Sequence, residues 1–477
     1  MNSRSANATV FFTSALVLVI EIVAGRLMAP FVGVSLEAFT GIIGTVLAGI
    51  ATGSAVGGRY ADNGDPRRLI AFALIIGGAF TWLSVIIVSV VGPAMSSSPI
   101  DIVTLTLLAF FIPTAALSSI SPMVAKLRLD KLEETGAVVG GLSAAGTVGA
   151  LVGTFGTGFI LLGLLPIRVI IYGIGGILMA AGIVGLFLAG EGKKARPDTA
   201  TMVVVVIIGL LTFGARSPCD YETDYACARV IPDEDRPGGR SLILDRVRHA
   251  HVDLDDPSHL ELRYAQLFGA VIDSEPEGAV DVLHIGGGGF SMPRYVSAER
   301  PGSTNLVLEI DEGLLEIADL ELGLDDVENL EVRFGDARLE LPELDTDSFD
   351  IIIGDAFGGD VVPWHLTTDE AVVEYDRLLR QDGVYVLNLI DGVDSSFARA
   401  QMATLADHFE FVAVIIPVDV PNAPHNQIVM ASDEPFGQLA IPEDAGVLLE
   451  GGEAVDYIDG AEVLTDNFAP VEQLKQS

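Results

Sequence analysis

The sequence predicts a helical membrane bundle followed by a doubly wound α/β domain, and three observations predict it. Apolar residues concentrate in seven long stretches, all before residue 216. Charge concentrates after them: residues 1–215 hold 10 Asp/Glu against 12 Lys/Arg, residues 216–477 hold 55 against 15, and the whole chain carries −38. Beyond residue 280, short β-forming runs alternate with helical periodicity, and the first run ends in four glycines, "VLHIGGGGF".

The apolar stretches lie near 8–30, 37–57, 69–92, 100–125, 136–163, 166–189 and 200–215. Most are long enough to cross about 30 Å of hydrocarbon as helices; the last is the shortest. The first has no cleavage-site pattern and is followed by further spans, so it reads as an anchor. Lys and Arg gather in alternate loops: Arg59, Arg67 and Arg68; Lys126, Arg128 and Lys131; Lys193, Lys194 and Arg196. Such loops are expected on the cytoplasmic side. Seven spans would then put the amino terminus inside and the carboxy-terminal domain outside.

Glu21 and Arg26 sit within the first span, where a charge at the helix centre costs about 2.5–3.5 kcal/mol. Five positions separate them, about 140° around a helix, too far for a direct pair. Either Arg26 reaches an interface while Glu21 bonds inside the bundle, or the two mark a polar path. Gly141, Ala145 and Gly149 recur at four-residue spacing, which lets helices approach closely. The loop "GGRYADNGDPRR" (57–68) resembles the signature loop of major facilitator transporters, with Asp62, Arg67 and Arg68 in matching places, although seven spans are too few for that fold.

The acid excess, with five lysines in the chain, repels phosphate backbones and excludes nucleic acid as a partner. An acidic, lysine-poor surface suits a halophilic protein. An acidic funnel for a polycation is compatible with it, although screening in molar salt shortens any funnel to about 3 Å. Cys219 and Cys227 flank "CDYETDYAC"; they close a small disulfide loop in an oxidising compartment or remain two thiols.

In the second half, "SLILDRVRHAHVDL" alternates as a half-buried strand pair. Strands are expected at 281–285, 305–309, 330–334, 349–354 and 383–389, with helices near 291–299, 312–321 and 368–380. A mostly parallel sheet binds ligands at the carboxyl ends of its strands. Four strand ends there carry the candidate chemistry. Gly286, Gly287 and Gly288 allow close backbone approach. Glu309 follows about 20 residues later, where a carboxylate can accept both hydroxyls of a ribose. Gly335–Asp336 suits an adenine amino group, and Asp355 ends the next strand. Ser291 stands where a dinucleotide fold would more often show a third glycine, so an adenosyl sulfonium fits better than a dinucleotide.

With those segments in view, the chain resembles spermidine synthases, and more narrowly membrane-fused spermidine synthase-like proteins. The resemblance runs through "IEIVAGRLMAPFVG", "YETDYACARV", "LDRVRHAHVDLDDPSHLELRY", "VLHIGGGGF", "LVLEID", "VRFGDARLEL", "FDIIIGDAFGGDVVPWHLTTDEAVVEY" and "LTDNFAPVEQL". It implies a Rossmann-like, S-adenosylmethionine-dependent transferase domain of the polyamine aminopropyltransferase family. Decarboxylated S-adenosylmethionine would be the co-substrate, a polyamine the acceptor, and no metal is required. By resemblance Gly286, Gly288, Glu309, Asp336 and Ala337 bind the donor, Asp355 accepts the amine proton, and Tyr225, Tyr264 and Asp360 contact the amine. Soluble relatives are commonly dimers or tetramers, which implies a homo-oligomer by analogy. The implied organisation is a multi-span domain at 1–215, a linker and small β subdomain at 216–277, the adenosyl-binding domain at 278–435 and a tail at 436–477.

The amine side departs from the family pattern. Gly289 replaces an aspartate of the glycine turn, Gly358 a second one near Asp360, Ala265 a histidine behind Tyr264, and Ala226 a glutamine behind Tyr225. Methyl transfer from S-adenosylmethionine is therefore an alternative reaction, and a polyamine- or nucleotide-binding transporter or sensor is the alternative without turnover. His249 and His251 share a strand face and read as surface residues; His365 reads as a pocket closure or a helix entry, and Asp466 as a tail cap. Charge bias points the soluble domain outward, whereas a cytosolic donor points it inward; the expectation adopted is the cytoplasmic face of the cell membrane, because the donor must reach the site.

Overall fold

The computed structural model describes residues 2–129, 135–189, 217–357, 362–418, 424–442 and 445–475. The chain divides into two compact units, Met1–Cys227 and Ala228–Ser477.

In the first unit six helices among the described residues are long and apolar enough to cross a membrane: Ser3–Val32, Leu36–Asn63, Pro66–Ala94, Pro99–Arg128, Thr135–Leu164 and Ile167–Leu188. The seventh expected stretch, 200–215, lies outside the described residues. We label α1 Ser3–Val32, α2 Leu36–Asn63, α3 Pro66–Val91, α4 Pro99–Ser118, α5 Ile120–Arg128, α6 Thr135–Gly156 and α7 Ile167–Ala189. Helix starts follow their capping chemistry: the Ser35 hydroxyl accepts the Ala38 N–H at 3.2 Å, and Ser98 and Asp65 cap helices that open on Pro99 and Pro66.

Glycines set how the helices pair. Gly149 and Gly153 of α6 lie against the backbone of Phe11 and Ala15 of α1, so these helices are parallel. Of the expected residues Gly149 makes the close approach, joined by Gly153, while Gly141 has nothing within 4 Å of its would-be Cβ. Gly53 and Gly57 of α2 meet Ala115 and Ser119 in the same ascending order, so α2 runs parallel to α4. Gly78 of α3 meets Gly175 and Met179 of α7, and Gly182 meets Ala71 and Ile75, so α3 and α7 are antiparallel. One end of the bundle therefore gathers the starts of α1, α3 and α6 with the ends of α2, α5 and α7. The Lys126–Asp62 pair, at 2.8 Å, closes that end. The opposite end gathers Val32, Leu36, Val91, Pro99 and Ile167.

Residues 217–227 sit at this second end. Cys219 and Cys227 are joined by a disulfide around strand β1 (Tyr221–Glu222). Glu222 Oε2 accepts the Ile167 N–H at 2.9 Å, a carboxylate at a helix amino terminus. Arg26 Nη2 donates to the Thr223 carbonyl at 2.8 Å. Arg26 thus has a backbone partner at the bundle end.

The second unit opens with an antiparallel ribbon of β2 (Cys227–Pro232, whose first residue closes the first unit), β3 (Gly239–Leu244) and β4 (Val247–Asp253). Then follow α8 (Arg263–Ser274), β5 (Asp281–Ile285), α9 (Ser291–Glu299), β6 (Thr304–Glu309), α10 (Glu312–Glu321), β7 (Leu330–Phe334), α11 (Ala337–Glu340), β8 (Phe349–Gly354), α12 (Asp369–Leu378), β9 (Leu379–Asp391), α13 (Ser396–Ala406), β10 (Phe411–Ile416), β11 (His425–Ser432), β12 (Val447–Glu450), α14 (Gly452–Ile458) and α15 (Val471–Lys475). The main sheet has eight strands in the order β12-β10-β11-β9-β8-β5-β6-β7. Strands β5 to β9 are parallel, and β10, β11 and β12 add an antiparallel edge drawn partly from the 436–477 segment. The chain order reverses between β5 and β8, which opens a crevice at their carboxyl ends.

Both faces of the sheet are covered, so its central strands read as continuous apolar runs. Leu283, Ile285, Ile352 and Leu387 on one face and Val282, Ile351, Ile353 and Val386 on the other are at most 2% exposed. Each such side chain contributes roughly 1.5–3 kcal/mol on burial. This rigid sheet fixes the strand ends that carry the candidate residues.

Candidate functional site

The glycine turn leaves β5 at Gly286, whose φ is +95° and whose N–H donates to the Leu308 carbonyl at 2.9 Å. A Cβ there would lie 2.7 Å from the Asp355 carbonyl oxygen, so only glycine fits where the two strand ends converge. Gly288 has φ +51°, and nothing lies within 4 Å of its would-be Cβ. The turn thus has an open outer surface on which a ligand can approach backbone.

Glu309 ends β6 and is 6% exposed. Its Oε2 accepts the N–H groups of Gly287 at 2.8 Å and Gly288 at 3.2 Å, and its Oε1 accepts that of Asp311 at 2.9 Å. Hydrogen bonds to a charged group contribute about 1.5–3 kcal/mol each. The carboxylate therefore organises the glycine turn. A carboxylate offers about four acceptor positions, so one remains for a ligand hydroxyl.

At the end of β7, the Gly335 N–H donates to the Glu309 carbonyl at 3.0 Å and brings the next loop alongside. Asp336 caps α11, its Oδ1 accepting the Arg338 N–H at 3.0 Å. The same oxygen lies 3.2 Å from His365 Nε2. Ala337 is buried just behind it. His365 therefore joins the Asp336 loop, while the neighbouring Trp364 ring is 45% exposed. The closing "LTDNFAP" segment reaches this loop too: Asp466 accepts from Arg338 Nη2 at 3.0 Å and from the Thr368 hydroxyl at 2.7 Å.

Asp355 follows β8, its N–H donating to the Ile285 carbonyl at 2.9 Å. Asn388 Nδ2 donates to Asp355 Oδ1 at 2.9 Å, and Asn426 Nδ2 donates to Asn388 Oδ1 at 2.8 Å. Burial pushes the Asp355 carboxyl up to about 7, against the hydrogen bond from Asn388 that favours its charge. That difference corresponds to something on the order of 4 kcal/mol between protonation states. The Tyr264 hydroxyl lies between this carboxyl and the His249 carbonyl, to which it donates at 2.8 Å. Burial, reinforced by Asp355, holds that phenol well above its ordinary range. A protonated Asp355 can donate to the Tyr264 oxygen without breaking the bond to His249, and it has the affinity to take up and release a proton near neutrality.

The four strand ends β5, β6, β7 and β8 thus present Gly286, Gly288, Glu309, Asp336, Ala337 and Asp355 side by side, with Tyr264 against Asp355. Tyr225 belongs to the first unit, where its side chain is 51% exposed and its N–H donates to Thr223 Oγ1 at 3.2 Å. Asp360 and Gly358 lie outside the described residues. Position 289 differs from its sequence reading: a Cβ there would lie 2.5 Å from the Ala250 Cβ, so its side chain would point into the β4 ribbon. His251, expected on the surface, is 2% exposed and lies 3.4 Å from Asp233. Sequence reasoning missed Asn388 and Asn426. The available signal was an asparagine inside the apolar run "VYVLNLID", where a buried amide needs a partner.

No family model matches the chain. A polyamine aminopropyltransferase of Vibrio vulnificus (strain CMCP6) is 29% identical over 226 residues, covering 44% of this chain and 73% of that protein. A probable spermidine synthase from Corynebacterium glutamicum ATCC 13032 is 26% identical, with a TM-score of 0.48, over 53% of this chain and 97% of that one. A spermidine synthase from Thermotoga maritima is 19% identical, with a TM-score of 0.36, over 46% of this chain and 72% of that one.

Proposed function

We propose that this spermidine synthase-like chain is a membrane-anchored aminopropyltransferase. It would move an aminopropyl group from decarboxylated S-adenosylmethionine to a polyamine such as putrescine or spermidine. The observation that carries the reading is Asp355, a carboxyl pushed up to about 7 beside the glycine turn and held by Asn388 and Tyr264. When bound, the donor supplies an electrophilic methylene and its own leaving group. Gly286, Gly288 and Glu309 would hold its ribose, and Asp336 with Ala337 its adenine. Tyr264 and Asp355 would orient the amine, and Asp355 would take its proton as the nitrogen–carbon bond forms and the carbon–sulfur bond breaks.

Purified full-length protein given decarboxylated S-adenosylmethionine and putrescine or spermidine should release methylthioadenosine, and Asp355→Ala should abolish that release. Undiminished release by the variant overturns the assignment. Ala265 and Ala226, which stand where the family pattern has a histidine and a glutamine, favour a second reading, methyl transfer, because they remove polar amine contacts. Donor competition separates the two: an aminopropyltransferase discriminates against the donor that keeps its carboxylate.

A further inference from the structure

The ends of the helix bundle differ in charge and in covalent chemistry. The end that holds the starts of α1, α3 and α6 carries Arg4, Arg59, Arg67, Arg68, Lys126 and Arg128. The opposite end carries Arg26 and Arg168, together with the Cys219–Cys227 disulfide. Positive residues mark the cytoplasmic end of a bundle, and disulfides persist where the surroundings oxidise. Two unrelated kinds of chemistry therefore orient the bundle the same way.

Helix α7 runs from the disulfide end, at Ile167, to the basic end, at Ala189, as its antiparallel contacts with α3 require. Residues 217–227 lie at the disulfide end, with Glu222 on the Ile167 N–H at 2.9 Å and the Thr223 carbonyl on Arg26 at 2.8 Å. After residue 217 the helices among the described residues have at most 12 residues, too short to span hydrocarbon.

We infer that the chain enters its second unit on the extracytoplasmic face of the membrane, with the disulfide-closed loop at 217–227 docked on the outer end of the bundle. This runs against the cytoplasmic expectation drawn from where adenosyl donors are made. One consequence rests on the proposed function: the amine and the sulfonium donor would reach Asp355 from outside, so a transport step must supply the donor.

The test uses the full-length chain in intact cells and has no activity readout. Glu453→Cys places a thiol on an exposed residue of the second unit, and Arg67→Cys places one at the basic end. A membrane-impermeant maleimide should label Glu453→Cys fully in intact cells and Arg67→Cys only after permeabilisation. The reverse pattern overturns the inference. The unsubstituted chain provides a second measurement: denatured without reductant, Cys219 and Cys227 should both resist alkylation, and two freely alkylated thiols would count against the inference.

Discussion

Asn388 Nδ2 lies 2.9 Å from Asp355 Oδ1, and Asn426 fixes which way the Asn388 amide points by donating to its oxygen at 2.8 Å. This pair ties the candidate base to the antiparallel edge of the sheet through the β9–β11 pairing, in which Asn388 stands opposite Ile428. Asn388→Asp would replace a donor by a like charge. It should drive the Asp355 carboxyl further up and move the acid limb of the rate–pH profile to higher pH, with roughly a tenfold loss of rate at pH 7. Methylthioadenosine release followed across pH checks this; an unmoved limb contradicts it.

Asp355 also links stability to pH. Burial raises its carboxyl to about 7 in the folded chain, so the folded state holds the proton more tightly than the unfolded one. The stability associated with that proton is present below the ordinary carboxylate range near pH 4 and is lost as pH rises through about 7. Asp355→Asn removes the buried charge and should raise the thermal midpoint above wild type at pH 8 while leaving it nearly unchanged at pH 4. Equal gains at both values would show that burial of the charge is not the cause.

Glu309 accepts three backbone amides at 2.8–3.2 Å. Glu309→Ala should leave those donors without a partner, at a cost of roughly 1–3 kcal/mol each for the ones that stay dry. The glycine turn would loosen, and methylthioadenosine affinity measured by calorimetry should fall at least about tenfold. Glu309→Gln keeps one acceptor oxygen and should fall between the two.

Gly289→Asp would reinstate the acid of the family pattern, yet its Cβ would sit 2.5 Å from the Ala250 Cβ. The substitution should destabilise the second unit by roughly 1–3 kcal/mol through overpacking, with no gain in amine affinity. Adding Ala250→Gly should recover part of that loss. Thermal unfolding of the single and double variants measures both effects.

Much of this architecture was legible in the sequence. Strands β5, β6 and β8 show as apolar runs ending in glycine or acid, because a buried parallel strand leaves polar residues mainly at its ends, while the edge strand β7 (LEVRF) shows only by the glycine and acid that follow it. The glycine turn, Glu309, Asp336 and Asp355 were found by that rule. The sequence did not reveal sheet order, so the partnership of β9 with β11, and with it the Asn388–Asn426 relay, stayed hidden until the register was seen. Likewise, four-residue glycine spacing in α6 marks a face without naming its partner. Only the packing against Phe11 and Ala15 shows that, of the expected Gly141, Ala145 and Gly149, it is Gly149 that makes the close approach, joined by Gly153. Position 289 misled for a related reason: a motif position says which residue stands there, not where its side chain would point.

The parallel seating of α6 on α1 constrains how the bundle is made. The first helix enters the membrane with an apolar surface whose backbone partner, Gly149 to Gly153, is synthesised well over a hundred residues later. Lateral assembly must therefore wait until three intervening spans have been made. A truncation ending in the loop before α6 would leave α1 threaded through the bilayer but without its seat, a natural target for membrane proteases.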